Sequence, residues 1–186
     1  MFGTQQSFLV GAAAKEEIED HEVMAYVPNK CLITVDRAVN SEIGFVFANH
    51  ENFFKACQER DFRRLVVFLM YECQKGEGSF WFPYIQAVEP GVMPCYWDEK
   101  YISSFDDREL RDQLREYKAA MEDEWQQLSK ILSLYSPDTF DLEVCTYDLY
   151  KWCSAFVESR CFGWGLPTTF LAPLLDGFNH QAGCRN

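Results

Sequence analysis

At 186 residues the chain suits one domain, or one domain carrying a large insertion. Aromatic residues make up 16% of it, which is high and points to a core of bulky rings and an aromatic-lined pocket. A net charge of −12 with no basic stripe argues against nucleic acid or an anionic membrane as the main partner, and suits a basic, lysine-bearing protein segment.

Near the N-terminus, Glu16, Glu17, Glu19, Asp20 and Glu22 read as a solvated acidic turn. Residues 21–36, HEVMAYVPNKCLITVD, then read as two short strands. Val23, Ala25 and Val27 alternate with Met24 and Tyr26, the Pro28-Asn29-Lys30 turn follows, and the extended pattern resumes over 31–35. Neither strand supplies enough sheet to stand alone.

From about 50 to 135 the periodicity is helical. Residues 65–71 form an unbroken apolar run, the mark of a helix buried all round, and Gly76 and Gly78 end it. FWFPYIQAV packs four aromatics and a proline into a tight corner. Leu110, Leu114, Tyr117, Met121, Trp125, Leu128 and Ile131 recur every three or four residues, which predicts a long amphipathic helix with one face on the core. The pattern lacks the sustained heptads of a coiled coil. SPDTF breaks the chain at 136–140, and Thr146 suits an N-cap with Asp148 in the first turn of a helix running to about Ser159. CFGWGLP reads as a loop, and TTFLAPLL (168–175) as a buried strand bent at its proline.

Terminal segments that each carry part of a sheet must meet to bury it. The expected fold is therefore α+β: a small β core with a large helical insertion. The expected division is 1–44 for the N-terminal strands, 45–145 for the insertion and 146–186 for the closing segment.

Chemistry-bearing motifs are sparse. No G-x-G-x-x-G, P-loop, H-E-x-x-H or nucleophile elbow occurs. The eight cysteines contain no C-x-x-C pair, and His21, His50 and His180 complete no ligand spacing, so no metal is expected. Free thiols are the simpler reading. With no basic-then-apolar leader and no apolar run of spanning length, the expected compartment is the cytosol or nucleus. What remains is Ser159-Arg160, an aromatic loop, then Asp176, Asn179 and His180. Singly these could satisfy helix carbonyls or cap a turn; together they fit a pocket that hydrogen-bonds a polar ligand.

ESRCF followed by LAPLLDGFNH resembles the S-R-x-F and P-x-x-D-x-x-N-H signatures of SET-domain methyltransferases, in the branch of the RuBisCO large-subunit and actin-histidine methyltransferases. EEIEDHEVMAYVPNKCLITVDRA is similar to that family's early strand pair, LMYECQKGEGSFWFPYIQAV to its inserted helical subdomain, and TYDLYKWCSAFVESR to the helix leading into S-R-x-F. The resemblance covers roughly residues 12 to 183 in the family's order.

The resemblance implies an S-adenosylmethionine-dependent protein methyltransferase, with Arg160 contacting the cofactor, Asn179 and His180 holding its adenine end, and Asp176 orienting the turn. Gly11 falls on the second glycine of the family's first-strand G-x-G, but Leu9 stands in place of the first glycine and Phe8 in place of the preceding acid. Phe162, two after Arg160, matches the lysine-methylating members, whereas the histidine branch carries a polar amide there and a bulkier aromatic where this chain has Leu175. The implied partner is a protein with an exposed lysine. The family's later strands and Tyr-Gly segment have no counterpart in these residues, so no catalytic residue is named and little turnover is expected from the chain by itself. A non-catalytic interaction module and a histidine methyltransferase are the two other readings.

Overall fold

The computed structural model describes residues 12–55, 60–89, 92–163 and 166–178. In chain order its elements are β1 (Ile33–Thr34), α1 (Val35–Val39), α2 (Gly44–Asn49), α3 (Glu51–Lys55), α4 (Arg60–Gln74), α5 (Phe82–Ala87), α6 (Glu99–Ser103), α7 (Arg108–Ser133), α8 (Tyr147–Arg160) and β2 (Phe170–Leu171). Short 3-10 turns at Asn29–Cys31, Gly76–Gly78, Pro94–Tyr96 and Leu175–Gly177 link them.

Local sequence sets several helix starts. Side-chain oxygens of Thr34, Asp98, Asp107 and Thr146 accept the backbone N–H three residues on, at 3.1, 2.7, 3.1 and 3.3 Å, and so cap α1, α6, α7 and α8. Each such cap is worth about 1 kcal/mol. Past the end of α4, Gly76 takes φ +53°, a left-handed turn that suits a residue without Cβ. Of the stripe its periodicity predicts, α7 buries Leu114, Met121, Leu128 and Ile131 and packs Tyr117 and Trp125 against the core, while Leu110 at its start is exposed; Leu132, outside that stripe, is buried as well.

α4 is the centre of the molecule. Its residues 65–71 are buried, and it packs most extensively on α8 and then on α1. One continuous core runs from Ile33 and Leu171 of the sheet through α4 and α8 to Leu128 and Leu132 of α7. The helical stretch therefore shares its core with the sheet.

The strands are shorter than the sequence suggests. β1 and β2 pair antiparallel, Ile33 opposite Leu171 and Thr34 opposite Phe170. Phe162 forms a further bridge on the other side of Phe170, with N–H to O distances of 2.8 and 2.9 Å. The expected strand over 21–27 does not form. Val23 and Tyr26 are 78% and 81% exposed, and among the described residues no segment pairs with them. An alternating pattern without a ladder partner leaves its N–H and C=O groups to water, and coil wins. The second expected strand ends early because Thr34 caps a helix, so Val35 opens α1. The third is confined to Phe170–Leu171, since Pro173 has no N–H to donate and Leu174 turns to φ 76°.

The corner after α4 ties the helical stretch to the sheet. Buried Glu72 accepts from Ser79 Oγ at 2.6 Å and Lys75 Nζ at 2.8 Å, and Ser79 Oγ accepts from Trp81 N–H at 3.1 Å. Trp81 Nε1–H then donates to Cys31 O at 2.9 Å. A buried carboxylate is tolerable only when partnered in this way.

Candidate cofactor site

α8 ends at Arg160, and the chain leaves the helix in extended conformation at Cys161. Ser159 folds its hydroxyl back onto Ala155 O at 2.7 Å, and Arg160 beside it is half-buried. Sixteen residues on, the turn after β2 is fixed by Asp176 N–H donating to Ala172 O at 3.2 Å and Gly177 N–H to Leu174 O at 3.1 Å.

These two points meet. Arg160 Nη1 donates to Asp176 Oδ2 at 3.2 Å and to Asp176 O at 3.3 Å. The Asp176 side chain is 3% exposed and that of Arg160 23%. A carboxylate this deeply placed needs donors, and a second comes from Tyr84 of α5, whose hydroxyl reaches the same Oδ2 at 2.6 Å. Tyr84 also sets its ring edge-on against Phe156 of α8, centroids 5.3 Å apart. Burial, and then the bond to Asp176, push the Tyr84 phenol well above its ordinary pKa, so it remains a donor at any working pH.

Of the residues expected to form the site, Arg160 and Asp176 are thus brought into contact. Asp176 acts as the fixed anchor of its turn, and Arg160 keeps its Nε and Nη2 donors clear of that anchor, because both contacts use Nη1. Phe162 stands two residues beyond Arg160, its ring stacked on Phe170 at 5.7 Å and 20°. Gly11, Asn179 and His180 lie outside the described residues. Ala12 N–H donates to Gly177 O at 3.2 Å, so the residue next to Gly11 touches the same turn.

Other polar groups singled out in the sequence are elsewhere. His21 is exposed beside Asp20, and His50 Nε2 lies 3.0 Å from the Tyr135 hydroxyl. Among the described residues no group of three or more His, Cys, Asp or Glu is arranged to hold a metal ion, and no helix is long and apolar enough to cross a membrane. Tyr84 is the residue that sequence reading assigned no role. Its signal was the Pro-Tyr step of FWFPYIQAV, read there as a packing corner.

No profile of a known protein family matches the chain. It is 28% identical over 185 residues to an actin-histidine N-methyltransferase of Gallus gallus, covering 93% of this chain and 30% of that protein. It is 29% identical over 180 residues to a ribosomal lysine N-methyltransferase of Schizosaccharomyces pombe, covering 91% of this chain and 30% of that protein. Its fold matches a solved structure of Rubisco LSMT bound to AdoMet with a TM-score of 0.70 at 24% identity, over 86% of this chain and 35% of that one. The SET domain of LSMT bound to lysine and AdoHcy matches with a TM-score of 0.69 at 23% identity, over 86% of this chain and 34% of that one. The chain thus spans about a third of the proteins it resembles and shares their SET-type fold over that third.

Proposed function

We propose that this chain forms the cofactor-holding part of an S-adenosylmethionine-dependent protein methyltransferase, and that the acceptor is a lysine side chain. The carrying observation is the contact between Arg160 and Asp176, which joins the S-R-x-F and D-x-x-N-H segments at one buried carboxylate. The similarity to histidine and lysine N-methyltransferases, and to LSMT bound to AdoMet, supports the same reading.

The residues present fit such a cofactor. Arg160 offers a guanidinium edge that matches a carboxylate. Asp176, already holding two donors, is suited to fixing the turn rather than to meeting ligand. In this reading Asn179 and His180, which follow that turn in the sequence, take the adenine end, and Gly11 lies beside the cofactor. S-adenosylmethionine supplies the electrophilic methyl group when bound. An acceptor lysine must arrive neutral, and since its ordinary pKa is about 10.4, an apolar approach that disfavours the ammonium would assist it. Phe162 and Phe170 offer such a face.

Calorimetric titration of the chain with S-adenosylmethionine and S-adenosylhomocysteine tests this. Saturable binding that Arg160→Gln weakens is the expected result. No binding, or binding indifferent to Arg160, sinks the assignment.

A further inference from the structure

Three elements converge on one oxygen atom at this site. Asp176 Oδ2 takes the Tyr84 hydroxyl from α5 at 2.6 Å and Arg160 Nη1 from the end of α8 at 3.2 Å, while the carboxylate itself belongs to the turn after β2. A carboxylate's terminal torsion is soft, so one partner leaves it free to swing. A second donor at a different angle removes that freedom. Tyr84 is itself held, because it follows Pro83 in the first turn of its helix and its ring packs on Phe156.

We propose that Tyr84 is a positioning residue for the cofactor site: its hydroxyl fixes the Asp176 carboxylate, and through it the orientation of Arg160 and of the turn that precedes Asn179 and His180. The inference rests on the reading of Arg160 as a cofactor contact. It adds that the helical stretch between α4 and α8 takes part in setting cofactor affinity. A preorganised Arg160 spends less binding energy on being ordered. Because burial and then Asp176 keep the phenol protonated, this donor does not switch off as the solution is made alkaline within the working range.

The test compares Tyr84→Phe, which keeps the ring and removes the hydroxyl, with Tyr150→Phe. Tyr150 also donates to a carboxylate, Glu124 Oε1 at 2.9 Å, and serves as the control for losing such a bond. Two quantities are read. The first is affinity for S-adenosylhomocysteine by calorimetry, expected to fall about tenfold in Tyr84→Phe, as for loss of a hydrogen bond to a charged group, and to stay level in Tyr150→Phe. In an Asp176→Asn background, Tyr84→Phe should add nothing further, because the two act in series. The second, read without ligand, is hydrogen exchange at the Asp176, Gly177 and Phe178 amides, expected to quicken in Tyr84→Phe alone. Unchanged affinity, an additive loss in the Asp176→Asn background, or unchanged exchange overturns the proposal. Should the unsubstituted chain bind no S-adenosylhomocysteine, the functional reading fails, and exchange alone decides whether Tyr84 positions the turn.

Discussion

Arg63 and Glu124 are joined by two bonds, Nε and Nη2 to Oε2 at 2.7 and 2.6 Å, and this pair locks α4 to α7. The other Glu124 oxygen accepts from Tyr150 of α8 at 2.9 Å, and Arg63 Nη1 donates to Phe53 O at 2.6 Å. Three helices and a backbone carbonyl thus share one charged network. Glu124→Ala leaves a mostly buried guanidinium without its carboxylate. The expected loss is about 3 kcal/mol, the low end for a broken buried pair, because both side chains keep some solvent contact. Urea unfolding measures it. A change under 1 kcal/mol with an unaltered slope would mean that water already satisfies Arg63.

The corner that ends α4 gives a second prediction. Trp81 Nε1–H reaches Cys31 O, and Trp81 N–H reaches the Ser79 hydroxyl that also serves Glu72. Ser79→Ala removes one donor to a carboxylate that is 3% exposed and one acceptor for a backbone N–H. A cost of about 2 kcal/mol follows for the two groups left short. Because Trp81 carries the link to Cys31, indole fluorescence should shift in the folded state as well. Folded spectra identical to those of the unsubstituted protein would contradict this coupling.

Stability should fall on the alkaline side. Burial pushes the Cys95 thiol up to about 11 and the Cys145 thiol up to about 12, and it also raises the Tyr84, Tyr117 and Tyr150 phenols. Their neutral forms are favoured in the folded state. That contribution is complete below the unfolded values, about 8.5 for cysteine and 10 for tyrosine. It drains away as pH climbs through the gap toward the folded values. The urea midpoint should therefore hold steady from pH 7 to 8 and drop by pH 10.5. A midpoint unchanged at pH 10.5 would show that these groups ionise as freely folded as unfolded. The same burial predicts slow alkylation of Cys145 and Cys153 at pH 7.5, read residue by residue by mass spectrometry.

Helical periodicity announced α4 and α7, and Thr146 announced the start of α8, because these signals lie within a few residues of one another. The pairing of Ile33 with Leu171 was legible as two apolar segments needing each other. Residues 21–27 misled because alternation describes a face and not a partner. Leu174 at φ 76° was invisible for the converse reason: the left-handed turn falls on an exposed leucine, and no glycine marks it. In the site, Arg160 and Asp176 stood out by motif, whereas Tyr84 lies 92 positions from the carboxylate it holds. A buried tyrosine needs a hydrogen-bond partner, but sequence alone does not say which.

Acceptor choice gives the last prediction. The relatives include both histidine and lysine methyltransferases, so similarity leaves the acceptor open. Phe162 is held in place twice over, by the paired backbone bonds to Phe170 and by the stacked rings. An apolar ring fixed there offers contact to an aliphatic lysine stem and no hydrogen bond to an imidazole. A desolvating face also favours the neutral amine over the ammonium. Phe162→Asn replaces that face with an amide that can bond an imidazole ring. On the proposed reading, transfer to lysine should fall about tenfold or more in kcat/KM, the scale on which a changed apolar contact alters discrimination. The measurement supplies protein substrates with labelled S-adenosylmethionine and identifies the modified residue by mass spectrometry. Methyl-lysine from the unsubstituted protein, reduced by Phe162→Asn, is the expected outcome. Methyl-histidine as the main product of the unsubstituted protein would reverse the assignment, because the residue facing the acceptor would then have to be one other than Phe162.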